Sequence, residues 1–212
     1  MDTFTTEKSA EDKRNTVLTN IVKMLVERKY ILNEELMKEM IAKLIKPNNV
    51  EHDDSKYTIK IENYEGNKDI NSIIVKIIPY KITSVSKAYG ISDFLNSERE
   101  IPKILVVEEV GKRAISIIKA YKNVEVFEEE FLMINLIEHV LVAPHEKLNK
   151  QDKQKILDEY LVKKMQLPRM LVTEPISLYY NTRIGDILRV KRPSNRSGVH
   201  NAYRLVISAP SK

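Results

Sequence analysis

The sequence predicts a two-domain α+β protein: an N-terminal α/β unit over residues 1–136, with helices on a small mixed sheet, and a compact C-terminal α/β unit over residues 137–212 that ends in an antiparallel hairpin. Three observations predict it. Between residues 57 and 127 strand-like runs alternate with helical ones, the pattern of helices packed on a sheet. The charge balance then reverses: residues 1–138 hold 21 Lys+Arg against 24 Asp+Glu, and residues 139–212 hold 14 against 6. Such a shift suggests two units that face different partners. Finally, Ile187–Arg192 and Ala202–Ile207 alternate apolar and polar residues on either side of the loop PSNRSGVHN, as a hairpin does.

The elements follow in order. Residues 1–12 are polar and are expected to fray. From Lys13 to about Lys29, Val17, Leu18, Ile21, Val22, Leu25 and Val26 recur at helical spacing. Asn33 reads as the N-cap of a second helix with Leu36, Met37, Met40, Ile41 and Leu44 on one face, stopped before Pro47. NNVEHDDS is a loop, Tyr57–Tyr64 and Ile73–Ile78 are strands, and GNKDIN between them is a turn. Ser84–Asn96 reads as a short helix, Ile104–Val107 as a buried strand, Gly111–Tyr121 as a helix and Val124–Phe127 as a strand. Glu128-Glu129-Glu130 reads as an exposed strand edge or turn. The change of domain falls around Asn135 to Pro144. Beyond it Asn149 caps a helix carrying Ile156, Leu157, Tyr160 and Leu161, with Asp152 in its first turn. Pro168 ends that region, and Thr173-Glu174-Pro175 opens a short helix over Ile176–Tyr180.

With 42% hydrophobic and 31% charged residues the chain can bury a core. No apolar run approaches the roughly 18 residues of a membrane span, and the N-terminus has no signal-like apolar region. The absence of cysteine excludes disulfides, thiolate metal sites and cysteine nucleophiles, and fits an intracellular setting. The five glycines form neither a GxGxxG nor a Walker-type loop, so no phosphate cradle is expected. His139 and His145 share neither a helix face nor a strand face, and the four histidines read as structural or solvated, not as metal ligands. No Gly-x-Ser-x-Gly elbow marks a nucleophile, although a spatial triad is not excluded by sequence. The nearest approaches to a metal-dependent nuclease are Asp54-Ser55-Lys56 and Glu108-Glu109, neither in a paired-strand context. No cofactor, no metal and no catalytic residue is expected.

The informative stretch is Gln166-Leu167-Pro168-Arg169, Glu174-Pro175-Ile176-Ser177-Leu178-Tyr179, Gly185-Asp186 with Ile187–Arg192, then Ser194, Ser197-Gly198 and Tyr203-Arg204. In this order it resembles the assembly domain of the small jaw subunit of eukaryotic-type DNA-directed RNA polymerases, whose C-terminal part is like a small component of the archaeal RNA polymerase. The segment His139-Val140-Leu141-Val142 and His145 resemble the entry to that domain, so the resemblance covers about 70 residues. Physically, Leu167-Pro168 stops a helix, and Gly185 and Gly198 supply positive φ before the hairpin and at its tip. Asn181 stands where the family usually has glycine, and asparagine tolerates the left-handed conformation. The N-terminal part resembles the family's jaw domain in layout, with Arg28-Lys29-Tyr30-Ile31 similar to its Arg-Gly-Tyr helix exit.

The resemblance implies a non-catalytic subunit whose residues 137–212 dock on the largest polymerase subunit, with residues 1–136 as a lower jaw beside downstream double-stranded DNA. The residues implied for assembly are Gln166, Leu167, Pro168, Arg169, Arg192, Ser194, Gly198, Tyr203 and Arg204. The bland alternative for Arg169, Arg192 and Arg204 is bracing of the hairpin against Asp186 or Glu174. DNA contact would be local, through Lys112, Arg113, Lys119 and Lys122, because an acidic unit cannot neutralise many phosphates. The implied setting is the nucleus for a cellular protein, and the virion or a cytoplasmic virus factory for a giant-virus one. The rival readings are a stand-alone nucleic-acid-binding module and a nuclease-like α/β protein.

Overall fold

The computed structural model describes residues 9–31, 35, 38–39, 41–42, 58–61, 72–85, 90–121, 123–194, 196 and 198–208. Two compact units emerge, Met1–Ile134 and Asn135–Lys212. Both are mixed α+β, and each is built on a four-stranded sheet.

In the first unit, helix α1 spans Ala10–Glu27. It starts three residues before the expected Lys13 because Ser9 caps it, its hydroxyl accepting from the Asp12 N–H at 3.1 Å, with Glu11 and Asp12 favourably placed in the first turn. Val17, Leu18, Ile21, Val22, Met24 and Leu25 are buried. The helix closes by donation from Lys29 N–H to the Val26 carbonyl and from Tyr30 N–H to the Leu25 carbonyl, with Lys29 left-handed at φ 64°. These two bonds are the Schellman arrangement. Of the second expected helix, the described residues Glu35, Lys38, Glu39, Ile41 and Ala42 are helical; Asn33, Leu36, Met37, Met40 and Leu44 lie outside the described residues. So do the loop NNVEHDDS, the turn GNKDIN and both ends of the expected strand Tyr57–Tyr64.

Strand β1 (Thr58–Ile61) pairs antiparallel with β2 (Ile73–Ile78), and β2, β3 (Lys103–Val107) and β4 (Val124–Glu128) run parallel, in the order β1-β2-β3-β4. β3 is buried at every position, so its apolar run marks burial on both faces rather than one. Ile74, Ile78, Leu105 and Val107 pack against Ile91, Phe94 and Leu95 of helix α2 (Ile91–Asn96) and Ala114 and Ile118 of helix α3 (Lys112–Ile118). On the opposite face, Arg28 at the end of α1 grips Glu125 with two bonds of 3.0 and 2.8 Å and lies 5.8 Å from the Phe127 ring. Lys103 is a charge inside this core. Its ammonium donates to the Phe94 carbonyl at 2.6 Å and to the Ser97 carbonyl, capping the C-terminus of α2 where carbonyls lack partners and the helix dipole favours a cation. Burial nevertheless lowers its pKa.

Three expectations are corrected. The helix expected over Ser84–Asn96 begins only at Ile91, after Gly90 at φ 60°; Ser84 and Val85 are not helical. The helix over Gly111–Tyr121 is shorter, with Gly111 outside it in an extended conformation. The acidic run is not a bare edge: Glu128 closes β4 and accepts from the Val110 N–H at 3.2 Å, and Glu129–Leu132 form a short helix, α4. Burial, then the neighbouring Glu108, raises the Glu129 pKa.

The second unit holds β5 (His145–Lys147), helix α5 (Lys150–Glu159), β6 (Arg169–Leu171), helix α6 (Pro175–Tyr179), β7 (Ile187–Ser194) and β8 (Gly198–Ile207). Its sheet order is β5-β7-β8-β6, with β6 parallel to β8 and the other pairs antiparallel. Asn149 caps α5, accepting from the Asp152 N–H at 2.8 Å, and Pro175 occupies the first turn of α6. Gly185, Gly198 and Asn181 adopt φ of 91°, 71° and 45°, as their positions demanded. The stretch PSNRSGVHN is not a long loop, since pairing continues through Arg192↔His200 and Pro193↔Val199 to Ser194↔Gly198. Its described residues are largely exposed, so the one-sided alternation that signals a strand is missing there.

Candidate functional site

Register divides the hairpin into two faces. On one, Ile187 and Leu205 pack with Leu148 and Ile156, with Leu157, Leu167, Tyr203 and Ile207 at the margin. On the other, Leu188 and Val206 pack with Met170, flanked by Val172 and Ile176. Successive strand residues alternate between these faces, and directly paired residues share one.

The expected assembly residues therefore separate. Arg192, paired with His200, and Arg204, paired with Leu188, lie on the Leu188 face, together with the Ser194–Gly198 pair. Arg169, in register with Leu205, and Tyr203, opposite Arg189, lie on the Ile187 face with Leu167. Gln166 and Pro168 belong to the connection. The Gln166 amide oxygen accepts from the Lys163 N–H at 2.6 Å, and the Pro168 carbonyl accepts from the Leu205 N–H at 2.8 Å. Ser194 accepts from the Arg196 N–H at 3.4 Å, and Tyr203 meets Tyr160 edge-on at 5.6 Å between ring centroids. A Cβ at Gly198 would touch nothing within 4 Å, so its positive φ alone selects glycine there.

The bracing alternative for the three arginines can be read directly. Asp186 is taken by Lys153 at 2.6 Å, Lys147 at 3.1 Å and the Arg183 N–H at 2.8 Å. Glu174 accepts from the Leu171 N–H at 2.9 Å. Arg169, Arg192 and Arg204 make no side-chain hydrogen bond or ion pair among the described residues, whereas Arg189 pairs with Glu146 at 3.3 Å. Burial would raise the Asp186 carboxyl, but the hydrogen bonds from Lys153, Arg183 and Lys147 outweigh it and hold the pKa low.

His145 was legible only as a family position; the geometry gives it a place. It pairs with Val190 on the arginine face and is half-buried, with its Nδ1 2.5 Å from the Ala143 carbonyl. Burial lowers its pKa, with Arg204 and Arg192 pushing the same way against the Ala143 carbonyl and Glu174. A neutral imidazole on the same face as two cations makes a surface suited to a carboxylate or to carbonyl oxygens, because guanidinium groups present planar, multi-donor forks. Exposed apolar side chains also lie in this unit, among them Leu161 and Val140 at 91% and 97% exposure, which nothing in their local sequence distinguished from core residues.

Of the cations expected beside DNA, Lys112 and Arg113 open α3 and Lys119 follows its last turn, all exposed; Lys122 lies outside the described residues. They are strung along one helix, about 10 Å end to end. Asp54-Ser55-Lys56 lies outside the described residues, Glu109 pairs with Lys81 at 2.5 Å, and among the described residues no three acidic or histidine side chains gather as a metal site.

Residues 134–206 match the family RNA polymerase Rpb5, C-terminal domain. The chain is 29% identical over 202 residues to DNA-directed RNA polymerase subunit 5 of Acanthamoeba polyphaga mimivirus, covering 94% of this chain and 95% of that protein. It is 34% identical over 103 residues to DNA-directed RNA polymerase subunit 5-like protein 1 of Arabidopsis thaliana, 49% of each chain. It is 32% identical over 115 residues to the RNA polymerases I, II and III subunit RPABC1 of Caenorhabditis elegans, 52% of this chain and 54% of that one. The similarity thus spans about half the length of the plant and nematode relatives and nearly all of the viral one. Residues 134–206 accordingly form an RNA polymerase Rpb5 C-terminal domain, and the chain is a homologue of DNA-directed RNA polymerase subunit 5.

Proposed function

We propose that this chain is a non-catalytic subunit of a multisubunit DNA-directed RNA polymerase, held in the enzyme by residues 137–212 docked on the largest subunit. The observation that carries the reading is the Rpb5 C-terminal domain at residues 134–206, joined to similarity with a viral subunit 5 along nearly the whole chain. Arg169, Arg192 and Arg204, free of partners among the described residues, support docking through that unit, since unused guanidinium groups beside a buried core are common anchors of interfaces. Residues 1–136 act as the lower jaw near downstream duplex, with Lys112, Arg113, Lys119 and Lys122 offering sparse phosphate contacts. The subunit itself contributes assembly and positioning, and nucleotide addition belongs to other subunits. The full-length likeness to the mimivirus protein favours a virion or virus-factory setting over the nucleus.

The test is co-expression of the tagged full chain with the subunits of its source polymerase, followed by affinity capture and mass identification. Stoichiometric recovery of the largest subunit is expected. Recovery of the folded chain alone, with tight salt-sensitive retention on duplex DNA, would instead establish a stand-alone nucleic-acid-binding module.

A further inference from the structure

The hairpin outruns its sheet. Strands β5 and β6 reach toward the hairpin tip only as far as their first residues, His145 and Arg169, yet β7 and β8 remain paired out to Ser194↔Gly198. A proline ends each flanking strand. Lys191 N–H donates to the Pro144 carbonyl at 2.9 Å and Leu205 N–H to the Pro168 carbonyl at 2.8 Å, but neither proline has an N–H to return. Beyond these two residues the arm carries both of its outer edges without a neighbouring strand among the described residues.

The bonding pattern fixes which backbone groups face outward. Because Lys191 and Leu205 donate away from the hairpin, the pairs Ile187↔Leu205, Arg189↔Tyr203, Lys191↔Asn201 and Pro193↔Val199 are the non-hydrogen-bonded pairs of the antiparallel ladder. Their N–H and C=O groups point to the outer edges. On β7 that edge is blunted, since Pro193 has no donor and Lys191 adds a charge, both known devices against strand addition. On β8 the outward positions are Val199, Asn201 and Tyr203, with no proline and no charge among them, and Val199 is 67% exposed. Only one edge of the arm is left able to accept a strand.

We propose that an extended, acidic segment of a neighbouring polymerase subunit adds to this edge as a further strand, along Val199–Tyr203 and in line with β6. The inference rests on the subunit reading above and says how the contact is made. Backbone bonding supplies the register, as in other strand additions. Charge supplies the selection: residues 191–204 contain Lys191, Arg192, Arg196 and Arg204 and no Asp or Glu. Arg192 and Arg204 lie on one face of the arm and Lys191 on the other, so a strand with acidic residues meets cations whichever face they occupy.

Amide hydrogen exchange in the isolated full chain and in the assembled polymerase tests this. In the isolated chain Val199, Asn201 and Tyr203 amides should exchange fast, whereas the inward Arg204 and Val206 amides stay protected. Assembly should slow the first three at least about tenfold, an outward hydrogen bond each. Asn201→Pro removes one outward N–H and leaves the inward ladder intact, and should weaken assembly about tenfold, while Asn201→Ala keeps the N–H and should assemble normally. A photo-crosslinking residue at Asn201 should capture a segment rich in Asp and Glu. Fast exchange of all three amides inside the assembled enzyme overturns strand addition, whatever Asn201→Pro does, and capture of a segment without acidic residues overturns the charge selection. Protection by duplex DNA alone, and not by assembly, would transfer the arm to nucleic acid and also overturn it. A wild-type chain that never assembles refutes the subunit reading itself.

Discussion

Lys29 adopts φ 64° at the position where the helix turns out of line, and a side chain there costs about 1–2 kcal/mol relative to glycine, offset by the roughly 0.5–1 kcal/mol of extra chain entropy that glycine loses on folding. Lys29→Gly should therefore raise stability by about 0.5–1 kcal/mol, read as a higher denaturant midpoint at unchanged slope. A lower midpoint would mean that the Lys29 side chain holds something the turn geometry does not reveal. Asp186 makes a second prediction at this scale. Its carboxyl is held below the ordinary value in the folded chain, so the unfolded state binds the proton more readily. The stabilisation is complete above the unfolded pKa of about 4 and is lost as pH falls through the lower folded value. Asp186→Asn should be less stable than wild type at pH 7, and the gap should narrow in acid. A gap that stays constant from neutral to acid pH would show that the Lys153 and Lys147 contacts contribute nothing through charge.

Among the elements, those whose apolar residues follow a period were legible in advance, and those defined by pairing alone were not. Ile73–Ile78 is legible to the residue because its run is apolar but for Lys76, and the start of α5 is legible at Asn149 because a capping side chain announces a helix start. Strands β5 and β6, three residues each, carry no period, and they exist because the β7–β8 hairpin offers both edges. The same limit hid the outer half of the hairpin, where solvent on both faces erases alternation. Site residues followed suit: Arg169, Arg192 and Arg204 could be named from the family pattern, yet only register shows that Arg169 lies on the opposite face from the other two. The part of His145 in their surface depends on a pairing with Val190 that spans 45 positions of sequence. The α5 cap gives a test at this scale. Asn149→Ala should cost about 1 kcal/mol, because the Asp152 N–H loses its acceptor, whereas Asn149→Asp or Asn149→Ser should be nearly neutral. Thermal melting of the three variants separates capping from a general intolerance of change there, which would penalise all of them.

At the scale of the whole molecule, charge is divided between the two units in the way their proposed tasks require. A net acidic first unit cannot bind duplex tightly by phosphate neutralisation, while a net basic second unit can meet carboxylates on a protein partner. Substitutions can therefore separate assembly from DNA contact. Arg192 is exposed and Arg204 half-exposed, and neither has a partner among the described residues, so Arg192→Ala with Arg204→Ala should change folding stability by less than about 1 kcal/mol. If these guanidinium groups are desolvated against a partner, each truncation costs about 2 kcal/mol or more of binding, and the double variant should assemble at least about thirtyfold more weakly even where the two losses do not add. Lys112→Ala, Arg113→Ala and Lys119→Ala together should behave in the opposite manner: assembly unchanged, with a small loss of affinity for downstream duplex that fades as salt rises, because few phosphate contacts are involved. The measurement is competition between tagged wild-type and variant chains for incorporation into one pool of polymerase, followed by DNA binding of the purified enzymes across salt. A folded arginine variant that competes equally with wild type would remove the arginine face from the docking surface. A lysine variant that fails to assemble would move the anchorage to the first unit.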